Sequence, residues 1–327
     1  MVIPPSPRAN PLFEGHEGAV TALVHAARTG RLHHGWLLTG PTGIGKATLA
    51  YRFGRWLLAG GQSPDLAVPE HSGVFRRVAA ATHPDFFSVE RRINAKTEKL
   101  QSEIVIATIQ EASAFMRLTP AEGGWRVVVV DGAEDMNTNA ANALLKLLEE
   151  PPPRAILLLV SAAPGRLLPT IRSRCRVLPM APLPETAMHN LLATYMPEMD
   201  NTSRSRLIEL AEGSIGQALA LVQGGGMALA GFVDEALDGG VKPTRAQIIA
   251  DEVSRTVEGA DKFELFFSLL RARLAARTRL AARAGAVDLQ SKITLWQDFG
   301  NMEREVLGLN LDKRAAILVA LERLQKS

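Results

Sequence analysis

Through the first half of the chain, short apolar runs alternate with stretches whose apolar residues recur every three or four positions. That alternation predicts a parallel sheet covered by crossover helices. Five strands are expected, near Gly35 to Thr39, Phe86 to Val89, Arg126 to Val130, Ala155 to Val160 and Arg176 to Met180. Each ends at a Gly, Asp, Ser or Pro signal, and their continuous apolar character implies burial on both faces. Between them Leu49, Phe53 and Leu57 recur at i, i+4, i+8, and Ile109, Ala112 and Phe115 or Met116 do likewise, so each set marks a helix with one buried face. Leu144, Leu145 and Leu148 mark a third helix. It should be capped near Asn137 to Asn139 and stopped by Pro151, Pro152 and Pro153, which donate no backbone hydrogen bonds.

After Met180 the strand signals stop, and a Pro-punctuated linker from Ala181 to Pro184 opens a helical remainder. Gly224 to Gly226 break it, and from about Gly231 the pattern is helical throughout. Phe263, Phe266, Phe267 and Leu270 share one face there, and Ile317, Leu318, Leu321 and Leu324 another. The fold class expected is α/β followed by all-α. Its parts are an α/β domain over residues 1–182, a small helical unit over 183–226 and a helical domain over 227–327. No internal repeat or low-complexity segment interrupts this plan.

The 327 residues suit two or three domains, and 22% charged with 46% hydrophobic residues is ordinary globular composition. Lys+Arg of 37 against Asp+Glu of 34 leaves only +3, too balanced for a protein that holds nucleic acid mainly by charge. DNA contact is therefore expected to be local or shared with partners. The single cysteine, Cys175, excludes an intramolecular disulfide and a Cys-rich zinc site within the chain, which suits a reducing compartment. Apolar runs such as Ala155 to Ala163 fall far short of the roughly 20 residues that span a bilayer. A soluble cytoplasmic protein with no membrane partner is expected.

The strongest chemical signal is Gly40-Pro41-Thr42-Gly43-Ile44-Gly45-Lys46-Ala47-Thr48, set between a strand and a helix as a phosphate-binding P-loop requires. Its glycines let backbone N–H groups converge on phosphate oxygens, and Lys46 and the helix N-terminus add positive charge. Yet Ala47 stands where a Ser or Thr hydroxyl should reach Mg²⁺. The Thr48 hydroxyl, turned by about 100° along the helix, points elsewhere. Asp131 closes the third strand, where nucleotide enzymes of this kind place the acid of the Mg²⁺ shell. Gly132 follows where many such ATPases carry a water-activating glutamate. Glu134 and Asp135, on the ensuing turn, are not expected to replace it.

These segments, with Leu167-Leu168-Pro169-Thr170-Ile171-Arg172-Ser173-Arg174-Cys175, occur in a familiar order. So do Thr82-His83-Pro84-Asp85, Asn142 to Pro152, and Gly213-Ser214-Ile215-Gly216-Gln217-Ala218-Leu219. In these motifs the chain resembles bacterial clamp-loader subunits of the DNA polymerase III holoenzyme, convincingly over residues 10 to 225. The resemblance implies an AAA+ domain, a helical lid and a helical collar through which five related subunits form a ring. It further implies that Arg174, in Ser173-Arg174-Cys175, reaches toward ATP bound by a neighbouring motor subunit. A guanidinium suits that task, staying charged and offering a planar fork of donors.

The same resemblance shows losses. Gly216 stands where a motor subunit carries a sensor arginine, and Ser161 where a polar sensor is usual. With Ala47 and Gly132, three catalytic groups are missing. The implied role is an ATPase-silent ring member, a rigid stator beside the clamp-opening delta subunit. It would adjoin gamma/tau-type motor subunits, with the sliding clamp and primed DNA engaged through the complex. No cofactor would be required, and ATP or ADP could bind only unproductively at Gly40, Thr42, Gly43, Gly45, Lys46, Ala47, Thr48 and Asp131. The alternatives are an active AAA+ motor ATPase and, with little support from the helical last hundred residues, a small-molecule P-loop kinase or transferase.

Many relatives carry a four-cysteine module after the P-loop helix. Residues 58–85 contain no cysteine, so no zinc or other metal is expected, and His71 and His83 read as surface or capping groups. Arg271, Arg273, Arg277, Arg279 and Arg283 precede the next acid, Asp288. At 100° per residue they scatter around a helix and lack interleaved aromatics, so salt bridges are expected there in preference to DNA contact.

Overall fold

The computed structural model describes residues 4–93, 98, 100–255, 262–285 and 289–325; Asp288 lies outside them. Five parallel strands form one sheet: β1 (Gly35–Thr39), β2 (Phe86–Val89), β3 (Arg126–Asp131), β4 (Ala155–Ser161) and β5 (Arg176–Pro179), in the order β2-β3-β4-β1-β5. The register sets Thr39 beside Ser161 and Asp131 beside Val160, so the carboxyl ends of the central strands meet at one edge. In open α/β sheets ligand sites lie along that edge.

Burial on both faces is realised in β1, β3 and β4, whereas the edge strands β2 and β5 are covered only in part, β5 burying Leu178 alone. Leu38, Val127, Val129, Ile156 and Leu158 face one core with Leu23, Leu49 and Phe53. Leu37, Val128, Val130, Leu157 and Leu159 face the other with Ile109, Leu144 and Leu148. The covering helices are α1 (Glu17–Arg28), α2 (Lys46–Leu58), α3 (Gly73–Ala79), α4 (Ile106–Arg117), α5 (Thr138–Glu149) and α6 (Pro169–Ser173). In α5 the buried stripe is Ala140, Ala141, Leu144, Leu147 and Leu148, so Leu147 takes the place expected of Leu145, which is only partly buried. Asn137 caps α5 as anticipated, its side chain accepting from Ala140 N at 3.0 Å.

The sequence reading overlooked α1 and α3. The buried stripe of α1, Ala19, Leu23, Val24 and Ala26, is half alanine, and α3 spans only 7 residues behind its Ser72 cap.

Past β5 the chain is helical in α7 (Glu185–Tyr195), α8 (Asn201–Ala211), α9 (Ile215–Gln223), α10 (Gly226–Gly239), α11 (Pro243–Ser254), α12 (Lys262–Arg283), α13 (Gln290–Leu309) and α14 (Lys313–Gln325). The glycine break is narrower than expected, since α10 already begins at Gly226. The chain divides into two compact units: residues 1–204 with 212–216, which hold every strand, and residues 205–211 with 217–327. The second unit is built around Phe263, Phe266, Phe267 and Phe299, all fully buried, with Phe267 meeting Phe299 edge-on. No single helix among the described residues is long and apolar enough to cross a membrane.

Three of the five arginines of α12 pair with acids inside their own unit. Arg271 pairs with Glu303 at 2.8 Å, Arg273 with Glu209 and Asp234, and Arg277 with Asp238. Charges matched this way are poorly available to phosphates.

His83 is buried and not at the surface, 4% exposed. Its Nδ1 accepts from Asp85 N at 3.1 Å, which makes it a turn-capping group. Asp85, 1% exposed, accepts from Ala121 N at 2.8 Å and Glu122 N at 3.0 Å, and its carboxylate lies 3.5 Å from the buried Arg126 guanidinium. Arg126 in turn donates to Phe115 O and Thr119 O and stacks over the Phe115 ring. The Thr82-His83-Pro84-Asp85 motif therefore ties the entrance of β2 to the loop before β3.

Candidate functional site: a closed P-loop and an exposed arginine

The P-loop leaves β1 through Gly40, whose φ of +148° and surroundings admit no side chain: a Cβ there would stand 2.2 Å from Met180 O. Gly45 then caps α2 and Lys46 opens it. The ammonium of Lys46 does not reach into open space. It turns back on its own loop, donating to Gly40 O at 2.8 Å and Pro41 O at 2.6 Å, and the residue is 6% exposed. Burial lowers its pKa, against the opposing pull of Glu134 and Asp131. Asp131 is raised, chiefly by burial and then by Glu90.

The next three carbonyls of the loop are engaged as well. Ser214 Oγ donates to Thr42 O at 2.9 Å, Gly216 N to Gly43 O at 2.9 Å, and His16 Nε2 to Ile44 O at 2.8 Å. Five consecutive carbonyls, from Gly40 to Ile44, thus have protein donors. Gly216 fits because it has no side chain, since a Cβ would lie 2.8 Å from Gly43 Cα. An arginine at this position would force the two segments apart.

Beside the loop, Phe13, Ile44, Thr48, Leu191, Tyr195 and Ile215 line a cavity of about 30 Å³. That is roughly the volume share of one water, whereas sites for drug-sized ligands run to about 300–1,000 Å³. In this conformation the Lys46 ammonium is committed to the loop's own carbonyls. Ala47 offers no hydroxyl in any conformation.

The remaining candidates do structural work. Glu134 Oε1 accepts from Ala162 N at 2.7 Å and Ala163 N at 3.2 Å, joining the turn after β3 to the exit of β4. Asp135 pairs with Arg91 at 3.3 Å. Ser161 Oγ accepts from Ala163 N at 3.2 Å, an ordinary strand-end turn. No group of three or more His, Cys, Asp or Glu side chains among the described residues could hold a metal ion.

Arg174 stands apart from the P-loop. It is the C-cap of α6, a five-residue helix pinned by Ile171, fully buried, and by Cys175, whose thiol burial pushes up to about 12 and so out of reactive range. Between these two anchors the Arg174 side chain is 37% exposed. Its guanidinium donates to Thr170 O at 3.1 Å and lies 2.8 Å from the carboxylate of Glu149, the last residue of α5. Two features that sequence reasoning missed are this pairing and the His16 contact: His16 belongs to no motif, and Glu149, although inside the Asn142 to Pro152 segment, carries no sign there of its partner.

The family model described as DNA polymerase III, delta subunit, matches residues 15–184. DNA polymerase III subunit delta' of Pseudomonas aeruginosa is 40% identical over 182 residues, 55% of this chain and 53% of that protein. The delta' subunit of Escherichia coli strain K12 is 34% identical over 203 residues, 62% of this chain and 58% of its own length. DNA polymerase III subunit tau of the same strain is 29% identical over 215 residues, 63% of this chain and 31% of that protein. The chain thus spans about half the length of the delta' relatives it matches.

Proposed function

This chain belongs to the DNA polymerase III delta-subunit family, and on that footing we propose that it works as a delta'-type subunit of a bacterial clamp loader. It is silent in ATP hydrolysis and lends Arg174 to ATP bound by a neighbouring gamma/tau-type motor subunit. Its companions in the ring include the clamp-opening delta subunit, and the assembly opens a sliding clamp and loads it on primed DNA. Greater identity to delta' proteins than to tau supports this assignment over a motor subunit.

The observation that carries the silent half of this reading is the P-loop closed upon itself. A loop that binds phosphate presents N–H groups and a free ammonium. Here Lys46 is consumed by Gly40 O and Pro41 O, and Ser214, Gly216 and His16 hold the neighbouring carbonyls. Ala47, Gly132 and Gly216 remove the Mg²⁺ hydroxyl, the water-activating carboxylate and the phosphate-sensing cation.

Calorimetric titration of ATP or ADP with Mg²⁺ into the purified chain is expected to give no heat of binding at millimolar nucleotide. Turnover should be absent in both the natural chain and Lys46→Ala. Magnesium-dependent turnover abolished by Lys46→Ala would overturn the silent assignment and favour a motor subunit.

A further inference from the structure

Glu149 occupies a place where a carboxylate is locally unfavourable. It ends α5, at the negative pole of the helix dipole, with a second acid, Glu150, as the C-cap. Only Lys146 offers a basic group in that last turn. Helix electrostatics therefore do not account for it, and its neighbour does: the Arg174 guanidinium, 2.8 Å away.

We propose that Glu149 is the positioning residue for Arg174, holding its guanidinium at the surface in the pose in which it meets the neighbour's nucleotide. This rests on the finger reading above. A free arginine samples many rotamers, and that freedom is lost when it docks on a phosphate. Thr170 O and the Glu149 carboxylate fix the far end of the side chain from two sides, so part of that loss is met before the neighbour arrives. Two contacts leave most of the five guanidinium N–H groups free for phosphate oxygens. Glu149 also lines an open groove of about 870 Å³ between α4 and α5, with Gln110, Arg117, Asn142 and Lys146.

An exposed ion pair has modest strength, so the expected effect is modest. In the reconstituted loader Glu149→Gln, nearly equal in shape, should slow ATP hydrolysis at the site Arg174 serves by roughly three- to five-fold. The loss should fall on kcat, with ATP affinity of the ring and its assembly unchanged. Added to Arg174→Ala, the same substitution should do nothing more, because it acts only through the guanidinium. Hydrolysis by Glu149→Gln equal to or faster than wild type would overturn the proposal, the faster result marking a finger that Glu149 restrains. A further loss in the Arg174→Ala background would overturn it too, as a sign of damage to the end of α5. If Arg174→Ala itself hydrolyses normally, the finger reading has failed and this one falls with it; a slow Arg174→Ala beside a normal Glu149→Gln overturns the positioning role alone.

Discussion

Replacing Arg174 by alanine is expected to cut ATP hydrolysis at the neighbouring motor site by about 10³- to 10⁵-fold while the chain folds and joins the ring as before. The magnitude follows from what an arginine finger supplies: a full charge, delivered late, against oxygens whose charge is redistributed in the transition state. The harmlessness to folding follows from the local structure. Ile171 and Cys175 anchor the α6 turn in the core, whereas the Arg174 side chain is more than one-third exposed, and such surface pairs contribute about 0–1 kcal/mol to stability. Arg174→Lys keeps the charge and loses the planar fork, so it should recover only part of the rate. The readout is single-turnover hydrolysis by loader assembled with each variant, with assembly checked by mass.

Asp85→Ala should have the opposite profile, severe for folding and unconnected with the chemistry. It removes the acceptor of two backbone N–H groups and the carboxylate facing Arg126, leaving a guanidinium that is 4% exposed without its counter-charge. Breaking a buried pair from one side costs about 3–5 kcal/mol, a large part of the 5–15 kcal/mol that holds a typical domain together. Urea titration of the natural and substituted chains measures it.

The same cluster sets an acid limit. Burial, with Arg77 adding to it, lowers the pKa of His83 below its ordinary 6.5. The unfolded chain therefore takes up a proton there before the folded one does. The stability due to neutral His83 is complete above pH 6.5 and is lost as pH falls from that value through the lower folded one. The urea midpoint should drop over that interval, and less so in His83→Gln.

The sheet was legible because each strand is a short run closed by a turn residue, and the two-sided burial of β1, β3 and β4 leaves little room for another reading. Helices with Leu and Phe at regular spacing were legible for the same reason. Alanine-rich α1 was not, because alanine fits a helix, a loop or a core alike. In the P-loop the sequence revealed the absent groups, Ala47, Gly132 and Gly216, from their places in the motif. It did not reveal the closure. That depends on the rotamer of Lys46 and on partners 172 residues away, as with Ser214 and Thr42, which no local pattern encodes. The Glu149 pairing was hidden likewise, since an acid before Pro151 looks like any solvated helix end.

A density map of the assembled loader, trapped with a nucleotide that mimics the hydrolysis transition state, tests the trans role of Arg174 most directly, through one distance. The guanidinium of Arg174 should lie about 2.7–2.9 Å from a terminal phosphate oxygen in the adjoining motor subunit, while the chain's own P-loop stays closed around Lys46. A guanidinium facing solvent in that trapped ring, or nucleotide in the P-loop of this chain, would contradict the account.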